Sequence, residues 1–164
     1  MTELPTNPIR EEHRELIPHL RHIEAAAVEV LGWDADGAAR RLPPIVAFLR
    51  DQLIPHAGAE EAVLYPEIDR ITGGPTTATM TLDHVEIGVR TDRLAASVET
   101  AIEDWETDIA ADLSRQLASL AAIVVLHFEK EEEALLPLLD KALTNEAAAE
   151  LFARMGHGEH AHSH

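Results

Sequence analysis

The spacing His-x-x-x-Glu occurs twice in this chain, at His56 with Glu60 and at His127 with Glu131. Both copies lie inside apolar stretches that have the period of a helix. Residues four apart on a helix share a face, so each pair directs an imidazole and a carboxylate toward one point in the core. Burial of a carboxylate without a partner costs several kcal/mol, so two such glutamates need cations. The chain places histidines beside them, and a metal ion fits that need.

The rest of the chain is also patterned for helices. Alanine, leucine, glutamate and arginine are abundant, aromatic residues make up 4% of the chain, and no stretch alternates apolar and polar residues as strands do. Apolar residues three or four apart predict four long amphipathic helices and a short fifth one. The predicted helices span residues 8–31, 38–72, 76–103, 107–143 and 145–155.

The short connections between these helices predict the architecture. We expect an all-α, up-down-up-down four-helix bundle over residues 8–143, followed by a short C-terminal helix within 144–156. Residues 1–7 are expected to form an N-terminal extension. The tail 157–164 holds four of the ten histidines, and we expect it to be flexible and disordered.

The predicted turns place further histidines level with the two pairs. In an antiparallel pair of helices, residues equidistant from the turn lie at similar heights, because each helix rises about 1.5 Å per residue. The midpoints between neighbouring candidates fall at residues 34–35, 72 and 105–106, all in or beside predicted turns. One slab of the bundle is therefore predicted to hold six donors. They are His13, His56, Glu60, His84, His127 and Glu131.

Four imidazoles and two carboxylates exceed the needs of one tetrahedral zinc and suit two octahedral first-row ions. The chain has no cysteine, so only nitrogen and oxygen ligands are available. A carboxylate can span two metals, so Glu60 and Glu131 are predicted to bridge and the histidines to be terminal ligands. Two iron ions are the favoured occupants, with an oxo, hydroxo or dioxygen species at the open positions. Ligating imidazoles are neutral, so metal affinity should fall as the pH drops through about 6.5.

Prolines interrupt the predicted helices close to these ligands. Pro55 directly precedes His56, while Pro66 and Pro137 follow Glu60 and Glu131 by six residues. A proline removes a backbone donor and kinks a helix. The second and fourth helices are therefore predicted to share a local design.

The strongly negative net charge disfavours partners that are themselves negatively charged. The net charge is −17, with 30 acidic and 13 basic residues, which disfavours binding to nucleic acid or to an anionic membrane surface. No window approaches 18 consecutive apolar residues, and the N-terminus lacks the features of a signal peptide. We expect a cytoplasmic protein without nucleic-acid or membrane partners. The sequence indicates no oligomeric state.

Four segments carry a family resemblance. They are Glu-His-Arg-Glu-Leu at 12–16, His-Ala-Gly-Ala-Glu-Glu-Ala-Val-Leu-Tyr-Pro at 56–66, Asp-His-Val-Glu-Ile at 83–87 and His-Phe-Glu-Lys-Glu-Glu-Glu-Ala-Leu-Leu-Pro at 127–137. In this order they resemble the hemerythrin-like, HHE cation-binding family over about residues 8–140. The resemblance implies a four-helix bundle around a non-haem di-iron site. Founding members bind dioxygen reversibly there, and bacterial relatives are linked to oxygen, nitric oxide, iron or peroxide handling. The same six residues would be the iron ligands.

One position departs from the oxygen-carrying members. They have a second histidine one turn after the helix-three ligand, and here that position is Gly88. Either one iron is more open or another side chain replaces the ligand, and His19 is the expected substitute because the first and third helices are predicted to run parallel. Glu61 and Tyr65 are further oxygen donors nearby, although a surface acid and a core ring are their favoured roles. The gap favours peroxide or redox chemistry, or sensing, over reversible dioxygen carriage.

The predicted function is therefore a hemerythrin-like di-iron protein that binds or senses dioxygen, peroxide or nitric oxide. An enzyme with catalase-like or peroxidase-like activity toward peroxide is one alternative. An acidic helical interaction module without metal is another. A ferritin-like di-iron oxidase is disfavoured, because its Glu-x-x-His pairs do not occur on the inward stripes.

Overall fold

The computed structural model describes residues 3–156, which fold as an all-α bundle. The predicted disordered tail, 157–164, lies outside the described residues. No strand occurs within 3–156. The five helices, labelled in chain order, are α1 (Asn7–Glu29, followed by a 3-10 turn Val30–Gly32), α2 (35–72), α3 (Ala78–Glu103), α4 (107–142) and α5 (Asn145–Arg154).

The predicted helix bounds agree with these to within about three residues. Helix α2 begins earlier than predicted because the carboxylate of Asp34 accepts a hydrogen bond of 2.7 Å from the backbone N–H of Gly37, which caps the first turn. It ends at Gly73, whose φ of +74° is left-handed and suits glycine. Helix α1 packs against α4, α4 against α3, and α3 against α2. The up-down-up-down order of the directions stays a prediction.

Three π turns interrupt the two helices that carry the His-x-x-x-Glu pairs. In α2 they span Leu49–Leu53 and Glu60–Leu64, and in α4 the turn spans Glu131–Leu135. Each is followed, two residues after its end, by a proline. A proline cannot donate to the carbonyl four residues earlier and its ring clashes with that group, so the widened turn relieves the conflict. The helices are thus locally unwound where the sequence predicted a shared design.

The core consists of two apolar clusters separated by a polar layer. On α1, His13 lies between Ile9 of one cluster and Leu16 of the other. The same alternation occurs on the other three long helices. There the polar residues lie between Leu53 and Leu64 on α2, between Met80 and Ile87 on α3, and between Val124 and Leu135 on α4. The bundle therefore holds its buried histidines and glutamates in one layer, at the height that the turn midpoints predicted.

Helix α4 is the one helix within 3–156 that is long and apolar enough to cross a membrane, with a mean hydropathy of 1.6 in its most apolar window. This rests on length and composition alone. The helix packs between α1 and α3 and buries one polar histidine and one glutamate. A single helix of this kind is weak evidence of a membrane span, because the core helix of a bundle passes the same test.

Candidate metal centre

The six predicted ligand residues all lie in the polar layer and are almost completely buried. Their side chains form two groups, and the donor atoms within each group lie within 4.8 Å of one another. Both groups contain Glu60 and Glu131. The exposed fractions are His13 1%, His56 4%, Glu60 0%, His84 8%, His127 1% and Glu131 0%.

The first group joins His13 and His56. Oε1 of Glu60 lies 2.9 Å from Nε2 of His56 and 3.6 Å from Nε2 of His13. Oε2 of Glu131 lies 3.3 Å from Nε2 of His13. Two imidazole nitrogens and two carboxylate oxygens therefore face one small volume.

The second group joins His84 and His127, whose Nε2 atoms are 2.9 Å apart. Here the other oxygens of the glutamates are presented: Oε2 of Glu60 lies 3.2 Å from Nε2 of His84, and Oε1 of Glu131 lies 3.3 Å from Nε2 of His127. Each glutamate thus offers one oxygen to each histidine pair, which is the arrangement of a bridging carboxylate.

Tyr65 adds a fifth donor to the second group. Its hydroxyl donates to Oε1 of Glu131 at 2.6 Å and lies 3.2 Å from Nε2 of both His84 and His127. Burial and the charges of Glu60 and Glu131 raise the pKa of the phenol. The phenol therefore carries its proton when no cation is close by, and a bound metal would have to displace it.

The π turn in α2 explains why Tyr65 reaches this cluster. In a regular α-helix a residue five positions after Glu60 faces a different direction, because each residue rotates the chain by about 100°. Here the backbone N–H of Tyr65 bonds to the carbonyl of Glu60, an i to i+5 bond. That bond brings the two side chains onto one face. The ring of Tyr65 is buried, as the favoured role of a core ring predicted, but its hydroxyl also enters the cluster.

Carboxylates hold the outer nitrogen of every ligand histidine. In each case the acid comes from a neighbouring helix, and the four contacts form a closed ring from α1 to α2, α2 to α3, α3 to α4 and α4 to α1. An acid at Nδ1 holds the proton there and leaves Nε2 available to a metal. The Nδ1 contacts are His13 with Glu132 at 2.7 Å, His56 with Glu12 at 3.1 Å, His84 with Glu61 at 2.9 Å and His127 with Asp83 at 3.0 Å.

Two of these outer acids are themselves held by cations. Arg10 contacts Glu132 and also Asp140, the latter at 3.1 Å. Lys130 contacts Asp83. Burial alone would raise the pKa of Asp83, but Lys130 and His127 lower it. Asp83 and Glu132 therefore stay ionised, and they orient the imidazoles of His127 and His13.

The sequence carried a signal for the outer ring that the sequence analysis did not use. An acid directly precedes both His13 and His84, and an acid directly follows both Glu60 and Glu131. These four neighbours are the four outer carboxylates. Adjacent residues on a helix point about 100° apart, so a neighbour of an inward ligand reaches the next helix rather than the same point.

The donor atoms of the first group lack hydrogen-bond partners among the described residues. Nε2 of His13, Nε2 of His56, Oε1 of Glu60 and Oε2 of Glu131 are buried and have no hydrogen-bond partner in the described part of the chain. Buried polar atoms are nearly always satisfied, and leaving them unpaired is costly. Four such atoms converging from three helices are what a metal ion would satisfy, so the residues present fit a metal.

The charge balance agrees with this. Burial alone would lower the pKa of His13, but its contacts with Glu131, Glu132 and Glu60 raise it to about 11. In the same way the glutamates raise the pKa of His127 to about 10 against the effect of burial. Burial would raise the pKa of Glu60, yet His56 and the other imidazoles lower it well below its usual range. The buried carboxylates therefore need positive charge, which protons supply when a metal does not.

Comparison with known families agrees with this geometry: the hemerythrin HHE cation binding domain matches residues 4–157. The chain belongs to the hemerythrin HHE cation-binding family. Comparison with curated proteins and with solved structures gives no significant match. The match covers all four long helices, and with them both His-x-x-x-Glu pairs of this hemerythrin domain.

In this hemerythrin domain the structure places His19 and Glu61 outside the set of inward donors. His19 is exposed and stacks on Phe48, with ring centroids 4.4 Å apart, so it is not the side chain that replaces the ligand. It lies six residues after His13, and six residues rotate an α-helix well away from the ligand face. Glu61 is exposed, in line with the favoured role of a surface acid, and it contacts the outer nitrogen of His84.

Proposed function

We propose that this hemerythrin domain holds two iron ions, one at each histidine pair, and that it binds or reacts with dioxygen, peroxide or nitric oxide. The observation that supports the proposal is the placement of the carboxylate oxygens of Glu60 and Glu131. Each glutamate directs one oxygen toward His13 and His56 and the other toward His84 and His127. His13 and His56 would hold the first ion. His84, His127 and Tyr65 would hold the second.

The two ions would be unequal. The protein offers the first ion two imidazoles and two carboxylate oxygens, and it offers the second ion the phenol oxygen in addition. An octahedral ion takes six ligands. The first ion therefore has more positions left for an external ligand, and we expect small ligands to bind on the side of His13 and His56.

The protein supplies positioning and a dry environment, whereas bound iron supplies the redox and Lewis-acid chemistry. Phe128 stacks on the ring of His13, with centroids 4.4 Å apart, and is itself buried. The apolar clusters above and below the polar layer limit the access of water. The outer acids keep each imidazole in one orientation, so the donor set is already formed before a metal arrives.

Peroxide decomposition is the second candidate function, and Tyr65 is the observation that favours it. A phenolate is an anionic ligand, and anionic oxygen ligands stabilise ferric over ferrous iron. Reversible dioxygen carriage starts from two ferrous ions, so Tyr65 favours chemistry that passes through the ferric state. Rapid oxygen evolution from peroxide by the iron-loaded protein would support this function, and its absence would leave binding or sensing.

Metal content and an optical spectrum of the purified full chain test the main proposal. We expect about two irons per chain, with near-ultraviolet charge-transfer bands and a visible phenolate band. The matched variants are Glu60→Ala and Glu131→Ala, which we expect to lose both ions because each removes a bridge. Any iron that these variants retain is bound outside the buried cluster, for example at the histidines of 157–164. A metal-free protein whose stability is unchanged by chelators would instead identify an interaction module.

A further inference from the structure

A cavity of about 350 Å³ between α1 and α2 reaches one of the ligand histidines from the protein surface. Glu15, Asp51 and Gln52 in its lining are exposed, while His56 at its inner end is 4% exposed. The polar and charged residues of its lining are Glu12, Glu15, Asp51, Gln52 and His56.

The lining has a strongly negative charge. Among the residues that the structure describes, three carboxylates and neither lysine nor arginine line this cavity. A cleft with charges of one sign concentrates ions of the opposite sign and raises their rate of association. The cavity is therefore suited to a cation and unsuited to an anion such as superoxide.

His56 connects this acidic cavity to the metal cluster. Its Nδ1 atom lies 3.1 Å from Oε1 of Glu12, and its Nε2 atom lies 2.9 Å from Oε1 of Glu60. Both contacts are ion-pair contacts, and neither has the geometry of a hydrogen bond within the described residues. One buried imidazole thus contacts an acid of the cavity on one side and a bridging glutamate on the other.

We propose that this cavity is the route by which divalent metal ions reach the di-metal site, with Glu12, Glu15 and Asp51 forming a transient cation site at its mouth. A hydrated ion is attracted by the two exposed acids, exchanges water for Glu12, and passes His56 to Glu60. The inference rests on the proposed function, because it requires that the cluster takes up metal. Under this proposal Glu12, Glu15 and Asp51 control the rate of metal uptake.

A second groove, between α1 and α4, provides a matched comparison. It has a volume of about 260 Å³ and is also acidic, because Glu24, Glu129, Glu132 and Glu133 line it. Glu24 and Glu129 are chosen for the comparison because Glu132 contacts Nδ1 of His13. The groove differs in two respects: Arg21 lies among its residues, and none of the six ligand residues lines it. Removing two acids from this groove changes the net charge equally without touching the proposed route.

The test measures the rate at which the metal-free full chain takes up Co²⁺, followed by stopped-flow absorbance. Co²⁺ is used because it gives visible bands on binding and resists oxidation by air better than Fe²⁺. In the double variant Glu15→Gln with Asp51→Asn, we expect uptake at low ionic strength to slow about tenfold. The difference should shrink at high salt, because exposed charges are screened. The final content should remain about two ions per chain.

Four further variants serve as controls. The control pair Glu24→Gln with Glu129→Gln should take up Co²⁺ at the wild-type rate. Gln52→Lys should slow uptake and Gln52→Glu should accelerate it, and damage to the fold cannot produce an acceleration. Binding outside the cluster is measured in Glu60→Ala with Glu131→Ala and subtracted.

If Co²⁺ uptake slows equally in Glu15→Gln with Asp51→Asn and in Glu24→Gln with Glu129→Gln, the proposed route is overturned, because the net charge alone would explain the effect. An unchanged rate in Glu15→Gln with Asp51→Asn would also overturn it, while full loading would leave the di-metal proposal intact. A wild-type chain that takes up no Co²⁺ would overturn both proposals. The final Co²⁺ content therefore tests the di-metal proposal, and the rate of uptake tests the route.

Discussion

The hydroxyl of Tyr65 lies 2.6 Å from Oε1 of Glu131 and donates its hydrogen to it across the buried layer between α2 and α4. The two helices otherwise repeat one local design, Glu-Glu-x-x-Leu-x-Pro, at 60–66 and 131–137. Tyr65 occupies the position that Leu136 occupies in the other copy. The same backbone feature therefore carries a phenol in α2 and an apolar side chain in α4, which makes the two groups of donor atoms unequal.

Tyr65→Phe tests this inequality. We expect the iron-loaded variant to lose the visible phenolate band while it keeps its near-ultraviolet bands. In the metal-free protein, the loss of a buried hydrogen bond to a carboxylate should lower the free energy of unfolding by about 1–3 kcal/mol. The phenylalanine ring fills the same space, so the fold should survive. An unchanged visible spectrum would show that Tyr65 is not a ligand.

Asp83→Asn tests the outer ring of carboxylates. Asp83 accepts from Nδ1 of His127 at 3.0 Å and contacts Lys130. Loss of an outer carboxylate typically weakens metal affinity about 10–100-fold, and we expect that range here. Equilibrium competition against a chelator of known affinity measures it.

Lys130→Gln is the control for Asp83→Asn, because it removes the neighbouring cation and leaves the contact between Asp83 and His127. We expect a much smaller loss of affinity in this variant. Equal losses in the two variants would show that the charge of Lys130, rather than the orientation of His127, determines the effect.

The convergence of the six candidate ligand residues could be predicted from the sequence because two simple periods determine it. Four residues return a helix to the same face, and the turns place residues on neighbouring helices at the same height. These rules brought His13 and His84 together with the two His-x-x-x-Glu pairs. They failed where the helix is not regular: Tyr65 reaches the cluster only through the π turn at Glu60–Leu64. His19 was predicted from height alone, and the rotation of α1 turns it outward.

Metal uptake should release protons. In the metal-free protein the buried glutamates raise the pKa of His13 to about 11, of His56 to about 9 and of His127 to about 10. A metal requires neutral imidazoles, so its affinity should rise with pH up to about 11, most steeply below about 9, where all three must lose a proton. The sequence alone placed this dependence near pH 6.5, because it could not show how close the carboxylates lie. Calorimetry in two buffers of different ionisation enthalpy measures the number of protons released.

The same pKa shifts predict the stability of the metal-free protein. An unfolded histidine has a pKa of about 6.5, so the raised folded values stabilise the fold fully below that pH. This contribution should be lost as the pH rises through about 9–11, where the buried imidazoles lose their protons beside ionised glutamates. Urea unfolding of the metal-free chain at pH 6 and pH 10 measures the difference. Equal stability at the two pH values would contradict the prediction.

Pro66→Ala tests whether a proline holds Tyr65 in the cluster. Pro66 cannot donate to the carbonyl of Ala62, and the widened turn before it directs Tyr65 toward Glu131. Alanine restores the donor, so the segment can return to a regular α-helix that turns Tyr65 away. We expect two irons per chain but a weaker visible phenolate band. Pro137→Ala is the control: it follows the corresponding turn in α4, where Leu136 replaces the tyrosine, and it should keep the full band. If both variants keep the wild-type spectrum, the interactions of Tyr65 within the cluster, rather than the proline, hold the π turn in place.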